Sequence, residues 1–419
     1  MDGRREGRPG AGRHSLALWL VASSVATLGG GVWSFSARWI AAGEGGGFAG
    51  SVSALSTGAI TVMLLLGGVL ADRQGQRSLL LRTTWASLGV VVVFAALYLA
   101  KVPVRELLIG QAVAAGAIAG FEAPSTGVFV RQLVEPGQVA RSMSLSTTLN
   151  QTASLLGPAL GGVAVAVGGL LVGLSAEGLG LLTLLAALAI VRPLDVERRP
   201  AEPLHAGIAA GLRGLIHDRL VRRLLISVAL VTAAYLPLVG VLIPLVARQS
   251  GWSSPQMGAI STAWVAGSLA VSGLVAAFGP VRRVVIPMAA GLTLAAAAVG
   301  AMTVLGGMAA AAACTALAAI GISLFTSHVM PLFVLASPPH LQSRFQAVLG
   351  MAQTVPMAVG GLAFGFLSDA FGARRQLGLC AALGLVALTS LLTGPIIQAR
   401  LPERGNSSLD PRTDETPSP

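Results

Sequence analysis

Charged residues are scarce in this chain of 419 residues. Only 11% of the sequence is Asp, Glu, Lys or Arg, whereas about 25% is usual in a soluble domain. Hydrophobic residues make up 54%, and the mean hydropathy is +0.77. Apolar runs of about eighteen residues or more, each long enough to cross a bilayer as a helix, recur along the sequence. The composition therefore excludes a soluble globular protein and predicts a polytopic membrane protein.

Cysteine and the common catalytic motifs are also missing or nearly so. The two cysteines, Cys314 and Cys380, fall in predicted spans and have no Cys or His neighbour at a metal-ligand spacing. The sequence contains no G-x-x-x-x-G-K-[ST], H-E-x-x-H or G-x-S-x-G motif. We therefore expect no metal site, no cofactor and no enzymatic activity, and a membrane-embedded enzyme is the least favoured alternative.

The positive charge of the chain, formally +11, is best explained by membrane topology. No aromatic and basic stripe of the kind that binds nucleic acid accompanies the arginines, so we expect no nucleic-acid partner. Twelve apolar windows place both termini on one side, and segments on that side carry 22 of the 28 Lys and Arg residues. The positive-inside rule then predicts a cell-membrane protein with both termini in the cytoplasm. The remaining positive residues are assigned to outer loops: Arg38, Lys101, Arg105, Arg248, Arg374 and Arg375.

One long polar stretch divides the twelve spans six and six. The predicted organisation is a cytoplasmic tail (1–14), an N-terminal six-helix half (15–191), a cytoplasmic linker (192–223), a C-terminal six-helix half (224–397) and a disordered cytoplasmic tail (398–419). The expected fold is all-α, with two pseudo-symmetric halves.

An internal repeat supports the two halves. At a shift of 203 positions, five similar pairs align: Pro136 with Pro339, Arg141 with Arg344, Asn150 with Gln353, Gly157 with Gly360, and Gly162 with Gly365. Several matches at one shift indicate a duplicated six-helix unit. Transporters built from parallel repeats place the substrate site near the midplane between the repeats.

The segment "GGVLADRQGQR", between the second and third spans, resembles the loop signature of the major facilitator superfamily. The matching positions are Gly68, Leu70, Asp72, Arg73, Gly75 and Arg77. Twelve spans in two halves agree with this resemblance, which covers about residues 15 to 397. We predict that Gly68, Asp72, Arg73, Gly75 and Arg77 form a conformational latch, in which Asp72 caps a helix or pairs with an arginine across the interface between the halves. The alternative is a solvated turn acid.

A second motif, "ASLLGPALGG", resembles the fifth-helix signature of proton-coupled antiporters. Gly157, Pro158, Gly161 and Gly162 match it, and the preceding residues resemble drug and siderophore exporters of the enterobactin-exporter type. The fourth span lacks the intramembrane arginine that many drug antiporters carry. Physically, Pro158 predicts a bend that shapes a cavity, while the alternative for the glycines is ordinary close packing of helices.

Three titratable side chains fall inside predicted spans and are candidates for proton coupling, with Glu122 as the first choice. Glu122 and Glu177 would be costly to ionise in a bilayer, which suits groups that bind and release a proton. Glu122 shares a helical face with Gln111. His328 aligns with Ser125 in the repeat and would face the same cavity as Glu122. Hydrogen-bonded structural roles are the alternatives for all three.

The central cavity is expected to contain further polar and aromatic residues: Trp33, Gln111, Asn150, Tyr235, Phe325 and Gln353. For the aromatic residues, packing is the competing interpretation. Together these features predict a secondary active transporter, working as a monomer, that exports a drug-like or natural-product molecule in exchange for protons. The alternatives are a metabolite facilitator or importer on the same fold, and a membrane receptor or regulator that does not transport.

Overall fold

The computed structural model describes residues 11–74, 76–191, 219–279, 281, 283–336 and 342–393, and the regular structure in these ranges is helical. Hydrocarbon offers no water to exposed backbone groups, so a spanning segment must satisfy its own N–H and C=O groups. Eleven helical segments in the described ranges are long and apolar enough to cross a membrane, and one of them, Arg141–Ile190, has 50 residues. That long segment contains two spans.

The N-terminal half consists of six helices. Four are α1 (Ala11–Gly43), α2 (Gly46–Gln74), α3 (Gln76–Leu99) and α4 (Val104–Phe129). The helix Val139–Ile190 is broken at Gly168 and Gly169; the part before the break is α5 and the part after it is α6. Gly169 has φ +62°, a conformation that favours glycine. The break lies where the apolar windows predict the boundary between the fifth and sixth spans.

The C-terminal half repeats this pattern. Its first span, α7 (Arg219–Gln249), begins at Arg219 and not at the predicted residue 224. The helices that follow are α8 (Ser254–Phe278), α9 (Val285–Val304), α10 (Met308–Ala336), α11 (Gln342–Phe371) and α12 (Ala373–Leu392). The predicted all-helical fold with twelve spans is confirmed. Most of the predicted linker and of the two tails lies outside the described residues.

Several hydroxyl side chains within the spans are satisfied by the backbone of their own helix. The hydroxyl groups of Ser36, Thr57 and Thr232 donate to the carbonyl four residues earlier, at 2.9 Å in each case, so these groups need no water. Large apolar side chains such as Val167 and Val304, each 79% exposed, occupy the surface that lipid would cover.

Two seams join the halves, and both are built on glycine. We call the end of the bundle where α1 begins and α12 ends the proximal end, and the opposite end, where α1 leads into α2, the distal end. In the first seam Gly162 of α5 faces Ser254 of α8, so closely that a Cβ on Gly162 would lie 2.5 Å from the Ser254 oxygen. In the second, a Cβ on Gly365 of α11 would lie 2.5 Å from the oxygen of Gly46 in α2.

The repeat pairs have equivalent positions in these seams. Gly157 packs against Gly31 of α1, within its own half, and its repeat partner Gly360 packs against Ala233 of α7, also within its own half. Gly162 and Gly365, the next repeat pair, both contact the opposite half. The duplication seen in the sequence is thus also a duplication of helix contacts.

Candidate functional site

A cavity of about 400 Å³ lies between the two halves; we call it the central cavity. Its volume is in the range that accommodates drug-sized ligands. Six helices contribute to its wall: Gly31, Ser34, Phe35, Arg38 and Trp39 from α1, Ser53 from α2, Ser154 and Pro158 from α5, Leu236, Pro237, Val239, Gly240 and Pro244 from α7, Met257, Ser261, Trp264 and Val265 from α8, and Met357 from α11.

One face of α1 presents Arg38 to this cavity. Gly31, Ser34, Phe35 and Arg38 follow the helical repeat and line the wall together. Much of the Arg38 side chain is accessible because it faces the cavity. The assignment of Arg38 to an outer loop was wrong, since α1 continues to Gly43. The apolar residues 39–42 that follow it were the signal that the helix continues.

The wall contributed by α7 is irregular. Pro237 lacks an N–H group, and the residues after it, Leu238–Leu242, form a π-helical turn. Such turns often occur at functional sites because they shift the backbone and redirect side chains. Val239 and Gly240, inside the turn, line the cavity, so the distortion lies at the ligand-sized space.

A second cavity, of about 350 Å³, lies on the proximal side of the first, between α1 and α5. Ser154 lines both cavities, so they meet at this residue. The wall of the second cavity contains six polar residues among nine, Ser146 and Asn150 included. Asn150 accepts a hydrogen bond from the Thr27 hydroxyl, at 3.1 Å. The structure therefore places Asn150 in a second cavity that adjoins the central cavity on its proximal side.

The distal end is closed by contacts between the halves. Asp369 of α11 accepts hydrogen bonds from the backbone N–H groups of Gly46 and Gly47 at the start of α2, with distances of 2.6 and 2.7 Å. A carboxylate at a helix N-terminus is stabilised by the unpaired N–H groups and by the helix dipole. We call this contact the Asp369 cap.

A second distal contact joins α7 to α1. The Arg248 guanidinium carbon lies 3.9 Å from the centroid of a Trp39 ring, and its Nη2 donates to the Trp39 carbonyl at 3.0 Å. Trp39 also lines the central cavity. This cation–π contact therefore forms part of the distal roof of the cavity.

Of the two predicted acids, Glu177 has the more unusual surroundings. Its Oε2 atom is buried and has no hydrogen-bond partner among the described residues. It borders a space of about 10 Å³ that Gln111 and Ser87 also line, close to the volume that one water molecule requires. This small site lies inside the N-terminal half, so Gln111 faces Glu177 and is absent from the wall of the central cavity.

Glu122 lies one helical turn from Ile118, which lines the same small space. It is half-buried and has an interaction partner. The predicted polar stripe on α4 therefore faces α3 and α6, because Gln111 and Ile118 contact the Glu177 site.

His328 is fully engaged by hydrogen bonds. Its Nε2 accepts from the backbone N–H of Val281 at 3.1 Å, and its Nδ1 lies 2.8 Å from the Leu324 carbonyl. The side chain is 1% exposed and is absent from the wall of the central cavity. His328 thus stabilises the turn between α8 and α9. This position corrects the expectation that it faces Glu122 across the cavity.

The loop motif lies, as expected, where α2 ends and α3 begins. Arg77 donates to the carbonyls of Leu188 and Val191, with shortest distances of 2.6 and 2.9 Å. These carbonyls lie at the C-terminal end of α6, in the same half of the protein. The helix dipole stabilises a cation at that end. Gly68, Asp72 and Arg73 lie in α2 with side chains outside the described part, and Gly75 is outside the described residues.

The fifth-helix motif serves close packing. Gly157 and Gly161 pack against α1, and Gly162 packs against α8. Pro158 lines the central cavity, while the helix keeps its helical dihedral angles through this residue and departs from them only at Gly168 and Gly169.

Several expected cavity residues point elsewhere. Trp33 packs against Gly173 of α6, and the Tyr235 hydroxyl packs tightly onto Gly384 of α12. Phe325 is 1% exposed and belongs to the core. Gln353 lies one turn before Met357, and only Met357 lines the cavity. The cavity aromatics are instead Phe35, Trp39 and Trp264.

No group of three or more His, Cys, Asp or Glu residues that could hold a metal occurs among the described residues. Cys314 and Cys380 are buried and unpaired. Nothing in the described geometry suggests a nucleophile with its base. The described features are a ligand-sized space, a second cavity beside it and a closed distal end.

Comparison with known proteins gives a family and a fold. The family model of the Major Facilitator Superfamily matches residues 18–361. A search of curated proteins finds no match. Among solved structures, a bacterial homologue of the human lysosomal transporter Spinster, inward-facing and unoccupied, aligns with TM-score 0.75 and 14% identity over 95% of this chain and 100% of that chain.

Two further structures have the same fold. A mutant of the nucleoside transporter NupG aligns with TM-score 0.71 and 10% identity, covering 90% of this chain and 99% of that one. A bacterial homologue of the iron transporter ferroportin, inward-facing, aligns with TM-score 0.63 and 14% identity, covering 91% and 98%. At these identities the likeness extends to the fold alone, and the proteins differ in what they carry.

Proposed function

The chain belongs to the Major Facilitator Superfamily, and from this premise we propose that it is a secondary active transporter that exports a drug-like or natural-product molecule in exchange for protons. The observation that supports transport most strongly is the central cavity, which lies between two repeated halves and adjoins a second cavity on its proximal side. The resemblance of Gly157–Gly162 to an antiporter signature supports export. One chain contains both halves and the whole cavity, so we propose that it works as a monomer.

The proposed orientation places the proximal end in the cytoplasm of the cell. The excess of arginine in the proximal segments supports this, by the positive-inside rule. The Asp369 cap and the contact of Arg248 with Trp39 then close the outer face, while the polar cavity along α5 leads inward. In this orientation the conformation is the one that would accept substrate from the cytoplasm.

Glu177 is the group that we propose carries the proton, with Glu122 as the second candidate. An ionised carboxylate without a partner is costly inside a membrane, so Glu177 would be neutral when dry and would ionise when water enters the small space beside it. The backbone of Ala176 and Glu177 lies directly against Gly29 of α1. Hydration of Glu177 would therefore displace α1, the helix that presents Ser34 and Arg38 to the cavity.

Energy would come from the proton gradient, without a cofactor. A proton bound from outside would favour the return of the empty transporter to the state that is closed at the distal end, and its release to the cytoplasm would complete the cycle. Such coupling requires that the proton bind the two conformations with different affinity.

The test begins with a growth-inhibition panel in an efflux-deficient host, with and without a protonophore, to find a transported compound. Everted vesicles carrying the protein are then loaded with a pH-sensitive dye, and the compound is added. We expect it to drive proton movement in the wild type, and Glu177→Gln to abolish that movement. Glu106→Gln, which removes an exposed carboxyl in the first turn of α4, is the matched control.

The outcomes separate the two acids. If Glu122→Gln abolishes proton movement and Glu177→Gln does not, the proton site is Glu122. If both variants move protons as the wild type does, proton coupling through these acids is wrong. Accumulation of the compound in cells that express the protein would overturn export.

A further inference from the structure

Arg38 lines the central cavity, and much of its side chain is accessible from that space. It makes no hydrogen bond or ion pair with any residue that the structure describes. An unpaired guanidinium inside a membrane protein is costly and is retained mainly where it faces a cavity or a substrate. A neutral side chain would occupy this position at a lower free-energy cost. The presence of an arginine therefore indicates that it binds a ligand.

The described part of the cavity wall carries no acidic side chain. None of the described residues that line the central cavity or the cavity on its proximal side is Asp or Glu. Hydroxyl groups of Ser34, Ser53, Ser154 and Ser261 come from four different helices. These groups and the indole N–H groups of the cavity tryptophans can donate hydrogen bonds to an acceptor.

A second cation strengthens the positive field at the distal end of the cavity. Arg248 lies over Trp39, whose ring lines the wall. The guanidinium of Arg248 is thus held behind the ring by contacts with Trp39, while Arg38 has no such partner. In a site with little water, these charges act on a ligand more strongly than they would in solution.

Apolar side chains complete the cavity. Phe35, Trp264, Met257 and Met357 line it beside the serines. Aromatic and thioether groups pack well against flat or irregular apolar bodies. A ligand that satisfies both parts of the wall has an acidic group attached to an apolar or aromatic body.

We propose that the substrate is an amphiphilic anion, whose carboxylate, sulfonate or phosphate pairs with Arg38 and whose apolar body lies between the aromatic and methionine side chains of the central cavity. This inference rests on the proposed transport function and specifies its substrate class. Arg38 is then a substrate-binding residue, and the planar fork of its guanidinium suits bidentate binding of an acidic group.

The test uses purified protein in detergent and three probes with one aromatic body: naphthalene-2-carboxylate, its neutral amide, and the cationic naphthalene-2-methylamine. Binding is measured by isothermal titration and by fluorescence of the cavity tryptophans. We expect the wild type to bind the carboxylate roughly ten- to a hundredfold more tightly than the amide, the range expected for hydrogen bonds to a charged group.

Variants test whether Arg38 causes the preference for the carboxylate over the amide. Arg38→Gln should bind the carboxylate and the amide equally, and Arg38→Lys should keep part of the preference because it keeps the charge. Arg105→Gln removes an exposed arginine outside the cavity and should behave as the wild type. The comparison of probes on the wild type needs no variant, so it remains decisive if Arg38→Gln does not fold.

Three results would overturn the inference: equal or tighter binding of the amine or the amide by the wild type, a carboxylate preference that survives in Arg38→Gln, and no binding of the carboxylate. These measurements need no gradient, so they are independent of proton coupling. A protein that prefers cations but still exchanges them for protons would contradict the substrate class and leave the proposed function standing.

Discussion

The two seams between the halves are built alike but end differently. Both bring glycines of one helix against the backbone of another: Gly162 against Ser254 in the α5–α8 seam, and Gly365 against Gly46 in the α2–α11 seam. At the distal end, the N-terminus of α8 is capped within its own segment, by Ser253 and Gln256. The N-terminus of α2 is capped from the other half, by Asp369.

The two seams therefore have different roles, although the internal repeat builds them alike. A cap within one segment stabilises α8 in every conformation of the transporter, since it does not cross the seam. In the transport cycle that we propose, the Asp369 cap would exist only while the distal end is closed, because opening would separate α11 from α2. The α2–α11 seam would then contain a charged contact that biases the conformational equilibrium, whereas the cap of α8 would not.

A large side chain in place of a seam glycine should have the largest effect on the population of the distally closed conformation. Gly50→Leu would place a Cβ 2.5 Å from the Gly361 oxygen, so the distal end could close only with strain. Overpacking costs about 1–3 kcal/mol, which shifts the closed population by roughly fivefold to 150-fold. The measurement is labelling of Ser261→Cys, in the cavity, by an impermeant maleimide from the distal side, with Cys314 and Cys380 replaced.

Gly58→Leu is the control for this prediction, because Gly58 is on the same helix with open space around it. Gly258→Leu, against the Pro158 carbonyl in the other seam, should raise labelling as Gly50→Leu does. Unchanged labelling in either seam variant would show that the glycine contacts do not hold the closed state.

Removal of the Asp369 carboxylate should have a smaller effect. Asp369→Asn weakens a cap of a kind that contributes about 1 kcal/mol, equivalent to roughly a fivefold change in population. The distal end should open more often, and labelling of Ser261→Cys should rise accordingly. Gln256→Ala, which removes the side chain that accepts the Ser253 N–H, should lower thermal stability without changing the labelling. If labelling rose equally in the two cap variants, the proposed difference between the two seams would be wrong.

Loss of the cation–π contact should have the smallest effect. Arg248→Met keeps the length of the side chain but loses the interaction with Trp39, which is worth about 0.5–1 kcal/mol at accessible sites. Labelling should rise by roughly two- to fivefold. If labelling falls or stays constant while the protein remains folded, Arg248 has no part in distal closure.

The sequence was sufficient for the architecture. Hydropathy located the spans because each must be apolar over the bilayer thickness, and it placed the boundary between α5 and α6 at the glycines where the helix breaks. The repeat pairs Gly157 with Gly360 and Gly162 with Gly365 proved to be equivalent contacts, because close helix approach leaves no room for a side chain.

The direction of individual side chains could not be predicted in the same way. Ser34 lines the cavity, whereas Trp33, one residue earlier, packs against α6. Adjacent residues differ by about 100° around a helix, and only the neighbouring helices determine which of them faces the cavity. The prediction for Arg38 was wrong for another reason. A charged residue ends an apolar window in the sequence even where the helix itself continues.

The central claim, alternating access between two halves that are closed distally in this structure, is tested most directly by two distances. Spin labels at Glu44→Cys and Arg374→Cys, both exposed, report the distal end, and labels at Arg141→Cys and Arg283→Cys report the proximal end. The account predicts that pH and substrate change these distances in opposite directions, with the distal distance short in the conformation described above. Distances that stay fixed, or that lengthen and shorten together, would contradict it.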